Sequence, residues 1–101
     1  MSKIEEAINA SRIPVVVNFS ATWCGPCRMF APIFTQVKSS LEKNGIATLL
    51  RCDIDECEQF ANEHKIQSVP TTIIFLDGQE VKRKSGSFPT AVSFERWVEE
   101  S

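Results

Sequence analysis

Trp23-Cys24-Gly25-Pro26-Cys27 is the stretch on which this chain turns, because a strand ends on its near side and a helix begins on its far side. Before it run Val15, Val16, Val17 and Phe19, β-branched and almost continuously apolar, the pattern of a parallel strand covered on both faces. After it, Phe30, Ile33, Phe34, Val37 and Leu41 recur at helical spacing. Two thiols therefore stand at a strand-to-helix junction. Cys24 falls at or just before the first helical turn, where unpaired backbone N–H groups and the positive end of the helix dipole favour an anion. Pro26 suits the first helical position, since it lacks an N–H that would have no intrahelical partner there. Gly25 lets another backbone approach without a side chain in the way. Cys27 follows one turn later, close enough to close a small ring with Cys24. The pattern reads as a redox switch.

The totals limit what else the chain can be. Its 101 residues, 43% of them hydrophobic, are expected to form one domain over 1–101 around a single core. A net charge of -2 with both signs interspersed gives no footprint for nucleic acid or an anionic membrane. Apolar runs of a few residues are too short to cross a bilayer. Met1 to Glu6 carries acids and no apolar h-region, so no cleaved secretory leader is expected and a cytoplasmic setting is the default. Four cysteines in such a chain point to redox or metal chemistry rather than to a stapling framework.

Moving outward, Ile4, Ala7 and Ile8 put one apolar face on a short helix over 3–10, ended by Arg12-Ile13-Pro14. The helix after the two thiols is expected to run to about Lys43, stop at Asn44-Gly45 and bend at Pro32. Ile46 to Cys52 reads as a second buried strand, and a helix near 56–64 is expected to bury Cys57, Phe60 and Ala61. Thr71 to Leu76 reads as a third strand, Asp77-Gly78 as a hairpin turn and 80–84 as a fourth strand. Thr90 is placed to cap a last helix over 90–100, which presents Ala91, Phe94, Trp97 and Val98 to the core. The order αβαβαββα implies a mixed sheet with helices on both faces.

With these residues in place, the chain resembles the thioredoxin family over nearly its full length. The resemblance is carried by Phe19, the run Ala21-Thr22-Trp23-Cys24-Gly25-Pro26-Cys27-Arg28, Ala31-Pro32, Asp53-Ile54-Asp55, Val69-Pro70-Thr71, Asp77-Gly78 and Gly86. It implies a three-layer α/β/α sandwich and a protein disulfide reductase. Cys24 would be the exposed, attacking thiol and Cys27 the buried thiol that resolves the mixed disulfide. Pro70 would be the cis-proline facing the thiols, with Val69 offering its backbone to an extended substrate segment. Trp23, Gly25, Pro26, Val69, Pro70 and Gly86 would form a shallow docking surface. The family's partners follow: disulfide-containing protein substrates, and a thioredoxin reductase passing electrons from NADPH to a monomer that binds no cofactor or metal itself.

The chain departs from the family in three places. Asn18 stands where the family usually has an aspartate beneath the resolving cysteine, Arg51 stands where that aspartate's lysine partner is common, and there is no room for the usual first edge strand. Four strands are therefore expected. An unperturbed cysteine, with a pKa of about 8.5, is only about 3% thiolate at pH 7. Bringing it to half-ionisation takes about 2 kcal/mol, of which a helix terminus supplies about 0.3–1. Hydrogen bonds to the anion, including one from Cys27, must supply the rest. An aspartate could take the proton from a buried Cys27, whereas a neutral amide has no useful basicity. Asn18 is thus expected to slow resolution, or to leave the proton to water or the departing thiolate, while burying an amide at less cost than a carboxylate.

Other readings compete with this one. Cys52 is read as a core residue. Cys57 matches a position where some animal thioredoxins carry a regulatory cysteine, but His64 and Ser68 stand at those relatives' other cysteine positions, so a second disulfide of that type is not expected. His64 is read as a solvated or capping residue, Phe94 and Trp97 as core, and Trp23 as part of a functional surface. A four-thiolate zinc site lacks a standard spacing. A thioredoxin-fold binding module with weak or slowed redox activity is the alternative to the reductase, made less remote by Asn18.

Overall fold

A computed structural model describes residues 3–101; Met1 and Ser2, part of the stretch read for a leader, lie outside the described residues. The apolar run before the thiols forms strand β1, Val15–Ser20, every residue of which is buried. Its alternation splits the core. Val16 faces a cluster with Phe30, Phe34, Leu41, Leu49, Ile74 and Phe94, while Val15, Val17 and Phe19 face another with Ile8, Cys52, Phe60 and Phe75.

Around β1 the chain runs α1 (Lys3–Ala10), β1, α2 (Gly25–Lys43), β2 (Thr48–Asp53), α3 (Glu58–Glu63), β3 (Thr71–Leu76), β4 (Gln79–Ser85) and α4 (Ala91–Glu99). The sheet order is β2-β1-β3-β4, with β1 parallel to β2 and antiparallel to β3, and β3 antiparallel to β4. Helices α2 and α4 cover one face and α1 and α3 the other. This is the three-layer, four-stranded mixed sheet expected from the element order. Asp77 and Gly78 both take positive φ, 53° and 79°, as the tight hairpin between β3 and β4 requires. Thr90 caps α4, its hydroxyl accepting from Ser93 N–H at 3.1 Å while Ser93 Oγ accepts from Thr90 N–H at 3.2 Å.

The boundaries shift where capping outranks apolarity. Helix α2 continues through Pro32 to Lys43 and ends with Gly45 at φ 67°, its N–H donating to Glu42 O, while Ile46 N–H reaches back to Leu41 O at 2.9 Å. That closure uses Ile46 as part of the helix stop, so β2 begins at Thr48 rather than at 46. Helix α3 begins only at Glu58, because Cys57 and Glu56 N–H groups donate to Asp53 O in a turn. Cys57 therefore caps that helix and is half-buried, not buried along it. Ala91 and Trp97 are half-buried against the core that Phe94 and Val98 enter fully.

Strand β2 is an edge, and an edge presents unpaired backbone groups. Helix α2 covers them at Leu49. The Glu42 carboxylate accepts from Leu49 N–H at 3.0 Å and Lys38 Nζ donates to Leu49 O at 2.9 Å, the two side chains being paired with each other at 2.9 Å.

Candidate active site

The carboxyl end of β1 delivers Trp23 and Cys24 to the start of α2. Cys24 has extended backbone, φ -92° and ψ 117°, and its sulfur accepts from Cys27 N–H at 3.2 Å, so the thiol itself caps the helix. Helix α2 starts at Gly25, which puts Pro26 second, still inside the first turn where no N–H is missed. Cys24 and Cys27 are joined in a disulfide, their Cα atoms 5.3 Å apart.

The Val69–Pro70 peptide is cis, and the Val69 carbonyl oxygen lies 3.6 Å from Cys24 Sγ. Trp23 is 64% exposed and its indole N–H donates to Asp55 Oδ2 at 3.1 Å. A cleft of about 480 Å³ lies beside Cys24, lined by Trp23, Gly25, Pro26 and Val69 and also by Ile54, Ile66, Gln67 and Ser68. Pro70 and Gly86 do not line that cleft. Pro70 is buried, and the Gly86 N–H donates to its carbonyl at 2.7 Å.

One expectation is corrected. The exposed thiol that the resemblance implies at Cys24 is not what the structure shows: in the disulfide it is 5% exposed against 2% for Cys27. Its sulfur is bonded to Cys27 and covered by the Val69 carbonyl, leaving it at the floor of the cleft rather than on a free surface. Ile54, Ile66, Gln67 and Ser68 were not anticipated in the cleft. Ile54 follows the carboxyl end of β2, so the parallel pairing of β2 with β1 could have suggested it.

Asn18 is 1% exposed in β1; its Nδ2 donates to Thr72 Oγ1 at 3.2 Å, and its Oδ1 has no partner among the described residues. Such an unmet buried acceptor costs about 1–3 kcal/mol. Arg51 is in register with Asn18 on β2, but its side chain is exposed and its guanidinium lies 5.8 Å from the Phe34 ring centroid. His64 takes the capping place expected for it, ending α3 with its N–H donating to Phe60 O at 3.2 Å, but its ring is half-buried rather than solvated, 4.6 Å from that of Phe60 and 5.2 Å from that of Phe75. Cys52 is fully buried and free, Cys57 half-buried and free. Burial pushes the Cys52 thiol above its ordinary pKa, and the neighbouring Cys57 and Asp53 add to the rise. Among the described residues no three His, Cys, Asp or Glu side chains converge on a point that could hold a metal ion.

A dithiol that closes reversibly on a helix cap, at the floor of an open cleft and under a bare carbonyl, can exchange its disulfide with another. Fold and site together define a thiol–disulfide oxidoreductase. The thioredoxin family model matches residues 1–100. A thioredoxin-like protein of Synechocystis is 43% identical over 81 residues, 80% of this chain and 75% of that one. A bifunctional thioredoxin reductase/thioredoxin of Mycobacterium leprae is 42% identical over 78 residues, 77% of this chain and 17% of its own length. The oxidised thioredoxin of Plasmodium falciparum superposes with a TM-score of 0.84 at 25% identity, covering 99% of this chain and 90% of that one. The chain belongs to the thioredoxin family.

Proposed function

We propose that the chain works as a single-domain, monomeric protein disulfide reductase in the cytoplasm. The reduced Cys24 thiolate attacks a substrate disulfide, forming a mixed disulfide and releasing one substrate thiolate. Cys27, deprotonated, attacks Cys24 Sγ, closes the Cys24–Cys27 disulfide and releases the second thiolate. Two electrons pass to the substrate, and its two thiolates take up the protons. The observation that carries this reading is the capping contact between Cys27 N–H and Cys24 Sγ. The same donor that holds the sulfur in the disulfide serves an anion at that place once the disulfide opens.

Trp23, Gly25, Pro26 and Val69 take the substrate chain, with the Val69 backbone available for strand-like pairing. Pro70 and Gly86 act by holding Val69 in place, through the cis peptide and the Gly86 hydrogen bond to the Pro70 carbonyl. Asn18 replaces an acid that could accept the Cys27 proton, so resolution depends on water or the departing thiolate. Arg51 acts on the thiols only through its charge. Electrons return from NADPH through a thioredoxin reductase, and no cofactor is held by the chain itself. Support for that partner comes from the Mycobacterium leprae relative, whose name joins the two functions in one protein.

Reduction of insulin coupled to NADPH and a thioredoxin reductase tests the reading. Turnover that disappears in Cys24→Ser is expected. Turnover that survives that substitution, or that the intact chain lacks while still binding partners, points to the binding module instead.

A further inference from the structure

The first turns of α2 carry a surface that the two thiols leave unused. Cys27, Phe30 and Phe34 turn inward and are buried, so the outer face of the helix falls on Pro26, Met29 and Pro32, all exposed. Met29 is 76% exposed, more than any other large apolar side chain among the described residues. It stands three residues from Pro26 and three from Pro32, the spacing that makes side chains neighbours on a helix surface. Ile33, four residues on from Met29, is half-buried against the core below them. The strip holds no charged side chain.

This strip continues the active site, because Pro26 also lines the cleft above Cys24. The other flank is different in kind. A second cleft, which reaches Cys27, is lined by Arg28, Arg51, Asp53 and Glu56. Cys24 lies at the floor of its own cleft, so a disulfide in a folded protein reaches it only when the surface around that disulfide settles on the rim. Even weak protein encounters cover about 500 Å² on each partner, so the contact spreads past the residues that touch Cys24. Of the two flanks, only α2 offers apolar surface without charges to desolvate.

We propose that Met29, between Pro26 and Pro32, is a docking residue that takes apolar surface beside the disulfide of a protein substrate. The proposal rests on the reductase reading above and extends its docking surface along α2. A thioether suits the place. It is unbranched and polarizable, so it adapts to apolar surfaces of different shape. Met29 also stands one helical turn beyond Gly25, out of reach of a small molecule whose disulfide has entered the cleft. The gain is therefore confined to protein disulfides.

Reduced protein, with no reductase present, is mixed with insulin or with hydroxyethyl disulfide, and each rate constant is read from a single turnover. Met29→Gln keeps the length of the side chain and removes its apolar character. It should slow insulin reduction about three- to tenfold and leave hydroxyethyl disulfide unchanged, while Met29→Leu stays within about twofold of the parent on both. Equal slowing on the two disulfides, an unchanged insulin rate in Met29→Gln, or a Met29→Leu rate as slow as that of Met29→Gln overturns the proposal. A second arm needs no substitution at Met29. Cys27→Ser protein is held as a mixed disulfide with insulin, or with mercaptoethanol, and exposed to hydrogen peroxide, which oxidises accessible methionine to its sulfoxide. Met29 is the only methionine of the tryptic peptide 29–38, so its gain of one oxygen is read directly by mass. Oxidation several-fold slower in the insulin adduct is expected, and equal rates in the two adducts overturn the proposal. A parent chain that reduces hydroxyethyl disulfide but not insulin would instead refute the protein disulfide reductase reading, and substrate docking at Met29 with it.

Discussion

The molecule carries two pairs of cysteines, one at each of two neighbouring strand ends, and their surroundings give them opposite characters. Cys24 follows β1 and starts a helix of 19 residues, with its sulfur facing an N–H and a cleft. Cys52 lies within β2, sealed among Phe19, Phe60 and Ile73, with its thiol driven toward the protonated form. The sequence spacing of the first pair, three, presents both sulfurs to one turn of helix. Between Cys52 and Cys57 the chain makes a turn before α3 begins, so the second pair shares no turn of helix. A cysteine is thus made a nucleophile or a core residue by the backbone groups that its sulfur faces.

The largest effect expected from breaking this contrast falls on the first pair. Cys24→Ser should lower disulfide reduction by about three orders of magnitude or more, the scale of removing a nucleophile. Cys27→Ser should trap a mixed disulfide at Cys24 that can be isolated on non-reducing gels. If Cys27→Ser turns over normally, the order of attack is wrong.

Asn18→Asp is the next largest. It places a carboxylate where the amide already lacks a partner for Oδ1 and where Arg51 leans toward Phe34 instead. We expect a loss of about 2 kcal/mol at pH 7. The introduced acid would have a folded pKa above its unfolded value of about 3.9. Stability relative to the parent is therefore intact below about pH 4 and falls as pH rises toward the folded pKa. Denaturant melts at pH 4 and pH 7 give the difference. Single-turnover release of substrate should at the same time speed up, and a rate with unchanged pH dependence would exclude residue 18 from proton transfer.

The contrast also shows what a sequence discloses. Features written in consecutive residues were legible: the Trp23 to Cys27 junction, the Asp77-Gly78 hairpin and the Thr90 cap each follow from local backbone chemistry. Features made by residues far apart were not. Covering of Cys24 by the Val69 carbonyl and the entry of Ile54 and Ile66 into the cleft both depend on how the strands and turns pack. The capping place of His64 follows from the local helix end, whereas its packing against Phe75 comes from β3 and is not written locally. The start of β2 failed differently: Ile46 is apolar enough for a strand, but the αL closure at Gly45 claims its N–H first.

Cys52→Ala sharpens the comparison from the core side. Removing a fully buried sulfur should cost about 1–2 kcal/mol, whereas Cys57→Ser, half-buried at the turn, should stay within about 0.5. Equal losses at the two sites would mean that Cys57 is as much a core residue as Cys52.

An effect smaller than that of Cys52→Ala concerns the strand that carries Cys52. At its edge, Glu42 takes the Leu49 N–H and pairs with Lys38. Burial opposes ionisation of that carboxyl, but the Leu49 hydrogen bond and the hydrogen bond and charge of Lys38 outweigh it and hold the group below its ordinary pKa. A depressed acid stabilises the fold above its unfolded pKa of about 4.3, and the contribution is lost as pH falls through the folded value. Glu42→Gln should therefore cost about 1 kcal/mol at neutral pH, a modest figure because the Glu42 side chain is one-third exposed and Lys38 more so. The gap between variant and parent should close in acid. Hydrogen exchange at the Leu49 amide should quicken in the variant while the β1 amides, paired on both sides, keep their protection. If Leu49 exchanges no faster without the carboxylate, then α2 does not guard this edge, and the β2 strand under Cys52 is held by its pairing with β1 alone.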